Sequence, residues 1–132
     1  MFRLNEWCVM SNQWPEFDKL PKTRSVRSIL LEEGNGVSER TNGEIRFVVE
    51  SEPTGKGGFL HHCFLFMPKV GYRYPLLRVV QDNLDYPVRV IADIWPQGTT
   101  ADNETKLRQD LGVVFQSEAV TKVVPQLLEL VS

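Results

Sequence analysis

The sequence predicts an α+β fold: a four-stranded antiparallel meander with an N-terminal helix before it and C-terminal helices after it, packed on one face. Three observations lead there. Apolar residues recur at helical spacing up to about residue 43, then in period two through four segments between residues 44 and 95, then again at helical spacing from Leu107 onward. The connections between the four segments are short, which permits hairpins and excludes the long crossovers of parallel pairing. Helices flanking a sheet with one buried face give a two-layer arrangement.

Each element follows from local chemistry. Trp14-Pro15-Glu16-Phe17 starts a short helical turn, since Pro15 lacks only an N–H that would be unpaired there; Phe17 and Leu20 share its face before Pro21 closes it. Thr23 is the expected cap of the next helix, where Val26, Ile29, Leu30 and Val37 form the apolar stripe. Gly34 and Gly36 weaken it by about 1 kcal/mol each. A helix continuing to the stop signal Thr41-Asn42-Gly43 is favoured over one ending near Glu33 with a turn at Gly34-Asn35-Gly36.

The first strand spans 44–52, with Ile45, Phe47 and Val49 on its buried side. A loop at 53–58 leads to the second strand, 59–67, apolar on both faces and therefore central. After a turn at 68–71, the third strand covers 72–80, and Pro75 inside it marks an edge, an irregular start or a bulge. The fourth spans 86–95, with Val88, Val90, Ala92 and Ile94 on one face; Pro96-Gln97-Gly98 then ends the sheet. Cap residues at 99–103 precede a helical face of Leu107, Leu111, Val114 and Phe115. Ser117 is a fresh cap, and Val120, Val123, Val124, Leu127, Leu128 and Val131 continue an apolar stripe that Pro125 kinks or restarts.

The 132 residues make one domain, 1–132, too short for two conventional cores. Fifteen Lys and Arg against 17 Asp and Glu give a net charge of -2, which weighs against a nucleic-acid partner. No run approaches a membrane span: the most apolar strip, 59–67, is interrupted by His61 and His62. The N-terminus has no basic start followed by a long apolar core, so a cytoplasmic protein with no membrane partner is expected. Cys8 and Cys63 are too few for a disulfide framework and read as small buried hydrophobes.

The residues of possible chemistry are scattered. His61 and His62 are adjacent in a strand and point to opposite faces, while His61 and Cys63 share a face about 6.6 Å apart. A metal would need further ligands such as Cys8 or Asp93, which the spacing does not supply, so no metal and no cofactor are expected. A Cys63–His nucleophile would need an accessible thiol of lowered pKa, which a mid-strand cysteine rarely has. Gly55-Lys56-Gly57-Gly58 lacks the spacing and the following helix of a phosphate loop. The carboxylate pairs Glu32-Glu33, Asp82 with Asp85 and Asp102 with Glu104 lie at turns and helix ends. The basic cluster Lys19, Lys22, Arg24 and Arg27, beside Trp14 and Phe17, is diluted by Glu16, Asp18, Glu32 and Glu33 and reads as a solvated face.

Aromatic side chains with polar tips stand out: Trp7, Trp14, Tyr72, Tyr74, Tyr86 and Trp95. They suit half-buried rims and contact patches. Trp14, Tyr72, Tyr74 and Trp95 are therefore the candidate partner- or ligand-binding residues; no catalytic set is assigned.

Thr41-Asn42-Gly43, Tyr72-Arg73-Tyr74 with Leu76-Leu77, and Tyr86-Pro87-Val88 carry a resemblance, across roughly residues 23–95, to small uncharacterised bacterial proteins of mobile elements such as integron gene cassettes. The resemblance implies a bacterial, cytoplasmic accessory protein and no particular activity.

These readings lead to a non-enzymatic binding or protein-interaction module, with an unidentified protein or a second copy of itself as partner, through strand addition if the third strand keeps an open edge. The alternative is a small-molecule-binding protein, or an enzyme of unknown class, with a pocket between sheet and helices lined by Tyr74, Ile91 and Trp95.

Overall fold

In the computed structural model, residues 13–19 and 24–131 are described. Phe17–Lys19 form a single 3-10 turn. Leu20, Pro21 and the expected cap Thr23 lie outside the described residues, as do Trp7 and Cys8. The first helix, α1 (Val26–Gly34), is capped by Ser25, whose Oγ accepts from the Ser28 N–H at 3.0 Å. It buries Val26, Ile29 and Leu30. The helix does not continue unbroken: Asn35, between the two glycines, interrupts it before α2 (Gly36–Arg40). The expected stop then holds. Asn42 and Gly43 have φ of 53° and 80°, and the Gly43 N–H reaches the Ser38 carbonyl at 2.8 Å.

The sheet has five strands, one more than the sequence pattern suggests. They are β1 (Arg46–Pro53), β2 (Phe59–Met67), β3 (Tyr72–Gln81), β4 (Val88–Ala92) and β5 (Trp95–Ala101). All neighbours are antiparallel and the order is sequential. The expected fourth strand is cut by a turn at Asp93-Ile94, which pairs Ala92 with Trp95 and leaves Ile94 40% exposed rather than on the buried face. Residues 96–98 continue as strand. Pro96 is tolerated because β5 is an edge, where a missing N–H breaks no second ladder, and Gly98 supplies a φ of 89°.

Pro75 marks a bulge. Cys63 pairs with Leu77 but Phe64 with Pro75, so Leu76 is the extra residue. β3 is interior from Leu77 to Gln81, where it pairs with β4, but from Tyr72 to Pro75 it pairs with β2 alone; among the described residues the outermost strands are β1 and β5.

Helices cover one face of the sheet. α3 (Glu104–Phe115) starts at Asn103, whose Oδ1 accepts from the Lys106 N–H at 2.8 Å, and buries Leu107, Leu111 and Val114. These meet Ile29 and Leu30 of α1 over Phe47, Val49, Cys63, Leu65, Met67, Leu77, Val79, Val88 and Val90. Arg108 ties α3 to α1 through Glu33 at 2.6 Å and Glu32 at 3.4 Å, and also pairs with Glu104 one turn back on α3 at 3.0 Å. α4 (Glu118–Glu129) runs through Pro125 as one helix and buries only Leu127. Among the described residues no helix is long and apolar enough to cross a membrane.

Candidate functional site

Among the described residues nothing covers the face of the sheet away from the helices, and strand register places its side chains in rows. One row is Arg46–Phe66–Arg73, the next Val48–Phe64–Pro75, the next Glu50–His62–Arg78–Ile91, and the last Glu52–Leu60–Val80–Arg89. β2 lies inside the sheet between β1 and β3, as its two apolar faces imply. On the helix side His61, Cys63, Leu65 and Met67 are buried, and on the other side Leu60, His62, Phe64 and Phe66 are half-buried, because among the described residues the helices pack on the first side.

Seven apolar side chains and four arginines thus share this face with two glutamates and a histidine. Arg73 lies 5.1 Å from the Phe64 ring centroid and 5.9 Å from that of Phe66, and it pairs with Glu50 at 3.1 Å. His62 meets Glu52 at 3.1 Å. Arg46, Arg78 and Arg89 form no ion pair among the described residues and leave their forked donors outward. Where β3 and β4 part at the bulge, a depression of about 340 Å³ opens, lined by His62, Phe64, Pro75, Arg78, Ile91 and Pro96 among others.

A second concavity, of about 590 Å³, lies on the helix side. It separates α4 from the sheet and is lined by Val37, Phe47, Leu65, Leu76, Phe115, Val120 and Val124, with Arg40 and Gln116 at its rim. It exists because α4 touches the rest of the fold chiefly through α3 and leaves most of its apolar stripe half-buried.

The four aromatics singled out from sequence are not gathered into one site. Trp14 is 74% exposed beside Phe17, with ring centroids 6.1 Å apart. Tyr72 is partly exposed at the start of β3. Tyr74 and Trp95 pack against the core on the helix side. Tyr74 borders a recess of only about 10 Å³, and Ile91 faces the opposite side of the sheet, so Tyr74, Ile91 and Trp95 do not line a common pocket.

His61 and Cys63 share the buried face while His62 faces out, as the alternation requires. Burial pushes the Cys63 thiol up to about 12, a neutral and unreactive group. No group of three His, Cys, Asp or Glu among the described residues is arranged to hold a metal. His61 is 3% exposed and hydrogen-bonded on both ring nitrogens, to Ser51 Oγ at 2.7 Å and Gln81 Oε1 at 2.9 Å. Sequence reasoning missed Ser51 and Gln81, which lie 10 and 20 residues away. It also missed the arginine–phenylalanine face, although alternation within each strand carried the signal. Only register brings the rows together.

The chain matches no protein-family model, and no curated protein or solved structure is significantly similar to it.

Proposed function

We propose that the protein is a binding module that takes an acidic protein segment with apolar anchors on the open face of its sheet. The observation that carries this reading is the set of arginines without an ion pair among the described residues, Arg46, Arg78 and Arg89, on the same face as the half-buried Phe64 and Phe66. A sheet face of this apolar content that no described residue covers supports docking of a partner there. Desolvated aromatics supply affinity, and unpaired charges select the partner's sign. The face carries four Arg against two Glu on a chain of net charge -2, so position rather than composition makes it cationic. A second copy docked face to face sets like charges against each other, which favours a different protein as partner.

The test is nuclear magnetic resonance titration with a twelve-residue peptide of Glu, Leu and Phe, alongside its Lys-for-Glu counterpart and a single-stranded oligonucleotide. The expected result is shifts along β2 and β3 with the acidic peptide alone, abolished by Arg78→Glu. Preference for the basic peptide, shifts confined to the helices, or tighter binding of the oligonucleotide refutes the reading.

A second reading, small-molecule binding, is supported by the 590 Å³ cleft under α4, a size typical of ligand sites. Its apolar walls and Arg40, which has no ion pair among the described residues, suit a medium-chain carboxylate, with the guanidinium holding the head group.

A further inference from the structure

At the end of the sheet beside the start of α1, away from the open face, Ser51, His61 and Gln81 form a line across three strands. Ser51 is the direct cross-strand partner of His61, and Gln81 stands opposite Phe59, two residues along β2. Gln81 presents Oε1 to His61 Nε2 at 2.9 Å. A carbonyl oxygen only accepts, so Nε2 carries the proton and Nδ1 exposes its lone pair. The Ser51 hydroxyl, 2.7 Å from Nδ1, donates into it. His61 and Gln81 are 3% and 5% exposed, whereas Ser51 is exposed. Arg27 is anchored on the Val49 carbonyl at 2.8 Å, and its Nη1 reaches to 3.4 Å from Ser51 Oγ. A cavity of about 230 Å³ adjoins these groups, walled by Val26, Phe59 and Leu84.

We propose that Ser51 and His61 form a nucleophile–base pair that hydrolyses short-chain acyl esters, with Gln81 as the positioning residue and Arg27 facing the developing oxyanion. Ser51 Oγ attacks the ester carbonyl as its proton passes to His61 Nδ1. The carbonyl oxygen takes up negative charge beside Arg27. The bond to the alkoxide breaks, and Nδ1 returns the proton to the leaving alcohol. Water then attacks the acyl-Ser51 ester, giving its proton to Nδ1, and the acid leaves as Ser51 is reprotonated. Burial holds His61 below its ordinary pKa, so it is a neutral base at pH 7. Gln81 orients the ring without a carboxylate's charge to stabilise the imidazolium, so slow turnover of an activated ester is the expected scale. The cavity and the accessible hydroxyl separate this arrangement from a buried network that merely satisfies a histidine.

Two probes test it on the full chain: diisopropyl fluorophosphate, with the adduct located by mass spectrometry, and p-nitrophenyl acetate. Fluorophosphate should label Ser51 of the folded protein and not of the urea-unfolded chain. Ser51→Ala should slow ester hydrolysis by about 100-fold or more. Gln81→Glu, chosen because His61 variants risk misfolding, should raise the midpoint of the pH–rate profile, since a carboxylate favours the imidazolium. Absence of a Ser51 adduct, undiminished hydrolysis by Ser51→Ala, or an unmoved profile in a folded Gln81→Glu protein overturns the proposal.

Discussion

Gly34 is the position where helix propensity and packing make opposite predictions. It ends α1 with no left-handed φ, so an alanine there should favour the helix by about 1 kcal/mol. A Cβ at Gly34, however, would stand 2.1 Å from Phe47 Cδ2, 2.3 Å from Cγ and 2.5 Å from Cε2. To restore ordinary carbon–carbon contact of about 3.5 Å the ring must retreat by about 1.4 Å. Phe47 is 6% exposed and packs edge-on to Phe115 with centroids 5.6 Å apart, so retreat breaks that contact. Overpacking costs about 1–3 kcal/mol and the aromatic pair contributes about 0.5–1.5 kcal/mol. Set against the propensity gain, Gly34→Ala should destabilise by about 2 kcal/mol, or lower the Tm by about 8 °C in a domain of this size. Urea denaturation and calorimetry measure both. In a Phe47→Leu background the same change should become neutral or stabilising, because the ring that objects is gone. A Gly34→Ala protein as stable as the parent, or an undiminished penalty in the Phe47→Leu background, refutes the reasoning.

Three other outcomes follow from the packing. His61 is held below its ordinary pKa of 6.5 mainly by burial, opposed by the Gln81 hydrogen bond and helped by the charges of Arg27 and His62. The unfolded chain therefore binds the extra proton first: stability is full above pH 6.5 and falls as pH drops toward the folded value, by up to about 1.4 kcal/mol per unit. Urea midpoints measured from pH 7.5 to 5 should show this, less steeply in His61→Gln; an equal slope in both counts against the assignment. Cys63 should resist iodoacetamide at pH 8 in the folded protein and react once denatured, as read by site-resolved mass spectrometry; rapid native labelling contradicts its burial. Decanoate should raise the Tm where decanol does not, and Arg40→Gln should remove that difference; equal effects of both ligands exclude the charged rim of the cleft.

The sequence by itself determined the class of fold and most of its elements. Hydrophobic period reports which side of each element is buried, so Ile29 and Leu30, Phe47 and Val49, Val88 and Val90, and Leu107 and Leu111 were assignable without coordinates. It misjudged residues whose conformation depends on neighbours. Pro96 and Gly98 look like the end of a sheet, and they continue it because β5 borders only β4. Gly34 looks like a weak helix position, and it is where the Phe47 ring of β1 occupies the space a Cβ would need. Only the tertiary structure decided the candidate sites. Arg78 stands beside His62, and Ser51 beside His61, through strand register, which period two leaves undetermined: any shift by two residues preserves the buried face while changing every cross-strand partner. Burial is written along the chain, but the meeting of side chains from different strands is settled by packing and pairing between them.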